Sequence, residues 1–300
     1  MVGFAEPIEV APGVHLVDAC QFGRPRVGGV YVIAADQVAL VESGTSLAKD
    51  RVLLALDELG IPRDKVRWIF LTHIHLDHAG GAGALLPHLP GAQVVVHPRG
   101  AKHLVNPSRL VESVRAAVKE RFPLYGEAIP IPEERICQAK DGDRFDLGGR
   151  TILALDSPGH APHHLCFLEE EEGLLFTGDA AGLFYSGRLI PATVPPSFDL
   201  EASLSTLNRL YSLNPKALLY THFGPRAGRE GLSEYGELLV WWVELVKRAL
   251  GRAGEEEVAV EEVLGELGRA GWPVDDPVVR EDLAMSARGA MIYLRHRKGG

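Results

Sequence analysis

The sequence predicts an α/β fold in which two mixed β-sheets pack together with helices on the outside. Three observations lead there. Short apolar strands dominate both halves, with helices between them. The chain has 300 residues, 46% of them hydrophobic, enough for a large core. Polar, metal-loving residues also recur at the C-terminal ends of apolar segments, first in "LTHIHLDHAG", residues 71–80. Strand ends that meet at one rim of a sheet sandwich can form a single site. A simple doubly wound sheet fits this order less well.

The elements follow in order. "VHLVDA" (14–19), "GVYVIAA" (29–35) and "VALVESG" (38–44) read as strands, the last two joined by the turn Asp36–Gln37. Residues 46–60 have helical spacing at Val52, Leu53, Leu56 and Leu59, with Gly60 as the stop. "VRWIFLTH" is a buried-strand pattern, a second helix starts near Ala79, and "QVVVH" (93–97) is a further strand. Residues 107–122 read as a helix. In the second half, "DRFDLGGRTILALDSPG" and "HHLCFLEEEEGLLFTGD" are hairpin-like. A helix over 199–213 takes Asp199 as its N-cap. "ALLYTH" (217–222) is a strand and 229–251 a long helix. Its "LLVWWV" (238–243) suits a buried helix face or a subunit contact in a homodimer. "RAGEEEV" (252–258) is the boundary candidate, dividing a metal-binding domain, 1–251, from a helical C-terminal appendage, 252–300, with helices over 257–269 and 277–297.

Composition narrows the function. Net charge is -9, and an acidic surface opposes the broad electrostatic binding that nucleic acids reward. The local basic stretch "RHRK" (295–298) reads as a solvated helix end. Cys20, Cys137 and Cys166 are widely spaced and odd in number, the pattern of reduced residues in a cytoplasmic protein. The start, "MVGFAEPIEV", lacks a basic n-region and apolar stretch, so no signal peptide is expected. No apolar run approaches bilayer-spanning length. Only three Asn, four Gln and three Met occur. That bias suits a thermophile, and a GC-rich genome also produces it.

His73, His75, Asp77 and His78 are packed into six positions. Alternate side chains of an extended segment share a face, roughly 6–7 Å apart along the strand. His73 and His75 can therefore converge on one ion. Asp77 and His78 lie where the chain turns and can aim at a second. Four such residues buried without partners would carry a large desolvation cost. They are still too few to close two sites. His160 in "DSPGHAPHH", Asp179 in "FTGD" and His222 in "ALLYTH" can supply the rest, each after an apolar segment.

With these residues in place, over about residues 12–225, the sequence resembles the metallo-β-lactamase fold superfamily. The resemblance implies an αββα sandwich with a binuclear metal site at one edge. It implies one metal on His73, His75 and His160, a second on Asp77, His78 and His222, and Asp179 bridging both. It also implies a metal-bridging hydroxide as nucleophile, with Asp77 orienting it or moving its proton, so that Asp77 and Asp179 are the catalytic candidates. Histidines and carboxylates without thiolates suit zinc, and also iron or manganese. His164 matches a second histidine often seen in the family's G-H-x-x-x-H stretch and is expected to support the ligands. Glu42 stands where many relatives have aspartate. It either hydrogen-bonds a ligand histidine or simply ends a strand. His15, His88, His97, His103 and His296 have no motif support.

The expected substrate is a small-molecule ester, thioester or lactone. The similarity to glyoxalase II is only general, because its C-terminal glutathione-binding pattern is not recognisable. Some lactonases carry tyrosine three positions after the bridging aspartate, and Gly182 stands there. Tyr185 and Arg188, in the apolar segment 182–198, are candidate pocket residues or part of a packed connection. Arg24 and Arg26 form a second candidate rim or are solvated charges. A persulfide dioxygenase-like oxidoreductase, with one iron on His73, His160 and Asp179, and a phosphodiesterase or ribonuclease of the same fold are the alternatives.

Overall fold

The computed structural model describes residues 6–298, Lys298 by its backbone alone. The first five residues of the "MVGFAEPIEV" segment lie outside the described residues. Seven strands form the first sheet in sequence order: β1 (Ile8–Ala11), β2 (Val14–Asp18), β3 (Gly29–Ile33), β4 (Val38–Val41), β5 (Val66–Phe70), β6 (Gln93–Val96) and β7 (Ile136–Gln138). Pairing is antiparallel from β1 to β4 and parallel from β4 to β7.

The second sheet draws on β8 (Arg144–Asp146), β9 (Thr151–Asp156), β10 (Leu165–Glu169), β11 (Leu174–Phe176), β14 (Ala217–Tyr220) and β15 (Gly224–Ala227). Both hairpin-like segments of the sequence pair as expected, β8 with β9 and β10 with β11. The parallel pair β11–β14 makes this sheet mixed as well. The intervening β12 (Leu183–Tyr185) and β13 (Arg188–Ile190) form a separate hairpin.

Side-chain alternation sorts the buried residues. On β3, Val30 and Val32 join one apolar cluster, while Tyr31 and Ile33 join another. Both faces are buried, which is why "GVYVI" is apolar throughout. The Tyr31 cluster fills the space between the sheets. Phe70 of β5 lies 5.1 Å from Phe145 and 5.0 Å from Phe167, ring centre to ring centre, and both partners belong to the second sheet. Tyr31 donates its hydroxyl to the Tyr220 carbonyl at 2.7 Å. Burial pushes its phenol well above the ordinary range, so it remains a donor. The Val30 cluster is covered by α1 (Lys49–Glu58), through Val52, Leu53 and Leu56, and by Ala101 and Leu104 of α4 (Pro98–Val105).

Several boundaries differ from expectation for local reasons. The helix expected over 46–60 opens with a 3-10 turn at Ser46–Ala48, and α1 stops before Gly60, whose φ is +66°. The helix expected near Ala79 begins at Leu76 as α2 (Leu76–Ala79) and resumes as α3 (Ala82–Leu85). Of the helix expected over 107–122, α5 covers Ser108–Val118. Lys119–Tyr125 is a 3-10 segment containing Pro123, which cannot continue an α-helix.

By contact, the chain divides into two units. Both larger sheets belong to the first, which comprises the chain up to Asp156, His163–Gly178 and Pro215–Gly228. The second comprises Ser157–Pro162, Asp179–Asn214 and the chain from Arg229 onward. It holds the β12–β13 hairpin, α6 (Leu200–Ser212), α7 (Glu230–Ala253), α8 (Glu256–Arg269) and α9 (Pro277–Lys298). Asp199 caps α6 as expected, its carboxylate accepting the Ala202 N–H at 2.8 Å. In "LLVWWV", Leu239, Trp242 and Val243 are buried, and Trp241 is 41% exposed and stacks on Trp272. In the "RHRK" stretch, Arg295 pairs with Glu256 at 2.8 Å and Arg297 pairs with Glu201. Among the described residues, no helix is long and apolar enough to cross a membrane.

Phe70 joins the two sheets at the centre of the sandwich, so Phe70→Ala should lower unfolding free energy by about 3–5 kcal/mol. Chemical denaturation monitored by circular dichroism checks this. A loss below ~1 kcal/mol would contradict the packing.

Candidate metal centre

The segment after β5 carries the first group of polar residues. The Leu71 N–H still donates to the Val95 carbonyl of β6, at 2.9 Å. Thr72 then turns to other partners. Its carbonyl accepts the Leu165 N–H at 2.7 Å, and its hydroxyl donates to Glu42 Oε1 at 2.5 Å. The strand expected to run through His73 therefore ends at Phe70, and His73 and His75 stand on an irregular link. His75 is the N-cap of α2, so Asp77 and His78 occupy its first turn.

Proton positions on the histidines follow from their partners. The Thr72 hydroxyl proton is committed to Glu42, so its oxygen accepts the His73 Nδ1–H at 3.0 Å. His78 Nδ1 donates to Glu42 Oε1 at 3.0 Å, and His222 Nδ1 donates to the Val27 carbonyl at 2.6 Å. Carboxylate and carbonyl oxygens only accept. Each neutral ring therefore keeps its proton on Nδ1 and a lone pair on Nε2.

Those lone pairs converge. The Nε2 atoms of His78 and His222 face each other at 3.1 Å, and Asp77 Oδ2 lies 3.7 Å from the first and 3.6 Å from the second. The three residues each place a ligand atom within 4.8 Å of the others. Two nitrogens on one tetrahedral zinc ion would stand roughly 3.3 Å apart, given bonds near 2.0–2.1 Å. Acceptors gathered this way repel one another unless a cation or proton lies among them, so the donor set fits a divalent ion. His73 Nε2 also faces His75 Nδ1 at 2.8 Å.

Within the second unit the same chemistry recurs. His160 Nδ1 donates to the Ala192 carbonyl at 2.7 Å, leaving its Nε2 lone pair 3.6 Å from Asp179 Oδ2. An imidazole lone pair facing a carboxylate again fits a cation.

Glu42 binds this arrangement together in the first unit. It is fully buried and accepts from the Thr72 N–H at 3.4 Å, the Thr221 hydroxyl at 3.3 Å, the Thr72 hydroxyl and the His78 ring. Its φ is +69°, a left-handed conformation that costs a non-glycine residue about 1–3 kcal/mol. Of the two sequence options, the structure thus places Glu42 on a ligand candidate just beyond β4. His164 is buried, its ring 4.9 Å from that of His73. Gly178, with φ +47°, must be glycine: a Cβ there would come within 2.5 Å of Thr72 Oγ1 and 2.7 Å of His164 Nε2.

The pocket candidates have local partners within their own units. Tyr185 and Arg188 face each other across the β12–β13 turn, and the Arg188 guanidinium sits 5.1 Å over the Trp272 ring. Arg26 lies 5.9 Å over the Phe223 ring. Sequence reasoning missed Gln21, which is buried and donates its amide to Asp77 Oδ2 at 3.4 Å. A lone glutamine in a loop gives no motif. The carbonyls of Val27 and Ala192, which fix two rings, leave no residue signature at all.

Comparison with known proteins agrees with this chemistry. The family model described as the metallo-beta-lactamase superfamily matches residues 23–222, a span that includes all seven ligand candidates. The chain belongs to that superfamily, most of whose members are metallohydrolases. It is 31% identical over 221 residues to the metallo-beta-lactamase fold-containing protein ST1585 of Sulfurisphaera tokodaii, covering 71% of this chain and 78% of the relative. The crystal structure of that archaeal protein, under the name Sulfolobus tokodaii, superposes with a TM-score of 0.70 at 26% identity, over 93% of this chain and 98% of the other. An atrochrysone carboxyl ACP thioesterase from Aspergillus fumigatus is 31% identical over 174 residues, 58% of this chain and 43% of the relative. The fold is the superfamily's αββα sandwich, two mixed sheets with helices.

Glu42→Gln keeps the shape but replaces one acceptor oxygen with an N–H₂ group and removes the charge. Zinc affinity of the folded protein should fall about 10- to 100-fold, read by competition with a chelator. Unchanged affinity would contradict the support that Glu42 gives to His78.

Proposed function

We propose that this protein hydrolyses thioesters, with oxygen esters and lactones as chemically related substrates, using two divalent metal ions, zinc foremost. His73, His75 and His160 hold one ion, Asp77, His78 and His222 the other, and Asp179 serves both. Converging lone pairs support this most directly: His78 Nε2, His222 Nε2 and Asp77 Oδ2 meet with every Nδ1 proton directed away. Membership of the superfamily and the thioesterase name of a distant relative support the reaction class.

Ions held by these residues would supply an acidified water as nucleophile and a positive pole for the substrate carbonyl oxygen. The chain's own groups arrange the rest. Glu42 and the Val27 carbonyl keep His78 and His222 in the tautomer that presents Nε2. The Asp77 side chain is 23% exposed, against 0% for His78 and 4% for His222. It is therefore the member of this group best placed to take a proton from water and pass it to the leaving thiolate. The Gln21 amide holds Asp77 Oδ2 during that exchange.

Metal analysis of the purified protein, paired with a panel of acyl thioesters, lactones, phosphodiesters and glutathione persulfide, tests this. Thioester cleavage should vanish on chelation and return with zinc. His78→Ala and Asp179→Ala should reduce it to background while the fold survives. Full turnover by metal-replete Asp179→Ala would refute the assignment. So would oxygen uptake on the persulfide, or phosphodiester cleavage, without any thioester cleavage.

A further inference from the structure

The C-terminal helices reach His160 through a short chain of buried hydrogen bonds. The Tyr235 hydroxyl, on α7, accepts the Ala192 N–H at 3.0 Å. The Ala192 carbonyl in turn accepts the His160 Nδ1 proton at 2.7 Å. Both faces of one residue's backbone are thus used, one by a helix and one by a ligand candidate. Neighbouring residues are fixed in the same way. Ser286 of α9 donates its hydroxyl to the Pro191 carbonyl at 2.7 Å, and its carbonyl accepts the Thr193 hydroxyl at 2.6 Å. Trp242 of α7 donates its indole N–H to Thr193 Oγ1 at 2.9 Å. Gly289 of α9 approaches so closely that a Cβ there would stand 1.8 Å from the Thr193 carbonyl oxygen.

Tyr235 also touches the turn that follows Asp179. The Gly182 N–H donates to the Asp179 carbonyl at 3.1 Å, and Gly182 has φ +82°. A Cβ on Gly182 would meet the Tyr235 ring at 2.4 Å. The tyrosine ring therefore occupies the space that a side chain at 182 would need. One residue of α7 packs on the Asp179 turn with its ring and holds the His160 support with its hydroxyl.

We infer that Tyr235 is a positioning residue for both metal-ligand candidates of this unit, His160 and Asp179, and that α7 and α9 serve this pair as a scaffold. The inference rests on the metallohydrolase reading above. Removing the Tyr235 hydroxyl leaves the Ala192 N–H without its acceptor and frees the carbonyl that orients His160. The ring need not be lost for this to happen.

Zinc affinity of the full-length protein, measured by chelator competition, tests the inference beside the thermal midpoint of the metal-free form. Tyr235→Phe should weaken the affinity that depends on His160 about 10- to 100-fold, with a much smaller proportional effect on metal-free stability. Thr193→Val, a step further from His160, should weaken it less, and gives a second reading if Tyr235→Phe fails to fold. His160→Ala is the reference for complete loss of that support. If His160→Ala loses affinity while the folded Tyr235→Phe and Thr193→Val proteins bind zinc as the parent does, the inference is overturned and the hydrolase reading stands. If His160→Ala itself binds zinc unchanged, both fall.

Discussion

The metal-ligand candidates of each unit depend on where their imidazole protons sit. Fixed acceptors hold the Nδ1 protons of His73, His78, His160 and His222: the Thr72 hydroxyl oxygen, Glu42, and the carbonyls of Ala192 and Val27. A neutral imidazole has one proton, so committing it to Nδ1 makes Nε2 a ligand atom. Preparing a site this way is costly. Glu42 must be buried and held in a left-handed conformation. Four neighbouring donor groups, on Thr72, Thr221 and His78, offset that cost by satisfying its oxygens.

The sandwich supplies the rigidity that such proton placement needs. Thr72 and Thr221 follow β5 and β14, strands of different sheets, and both donate to Glu42, just after β4. Aromatic packing between the sheets, centred on Phe70, and the Tyr31–Tyr220 hydrogen bond keep those strand ends in register. Local irregularity appears where the strands stop. His73, His75 and His222 stand outside regular strands, where side chains are free of the in-and-out alternation of a sheet.

Much of this was legible in the sequence because ligand chemistry is written in side chains. The spacing of His73, His75, Asp77 and His78, and the later His160, Asp179 and His222 after apolar segments, are what single these residues out as ligand candidates in the sequence. Apolar runs marked the inner strands, and Asp199 marked the start of α6. Short edge elements were not legible: β1, β7 and the β12–β13 hairpin bury little, so their patterns are weak. The C-terminal end of β5 and the start of α2 were misplaced because Thr72 exchanges sheet pairing for contacts distant in sequence. Supporting groups were hidden for a different reason. The Val27 and Ala192 carbonyls are common to all residues, and the contacts of Tyr235, with the Ala192 N–H and the Gly182 turn, are distant in sequence.

The most direct measurement is the tautomeric state of these rings, by long-range proton–nitrogen NMR on the metal-free protein near neutral pH. The account predicts Nδ1–H tautomers for His73, His78, His160 and His222, with the Nε2 signals shifting when zinc is added. Nε2–H tautomers at His78 and His222, unchanged by zinc, would contradict it.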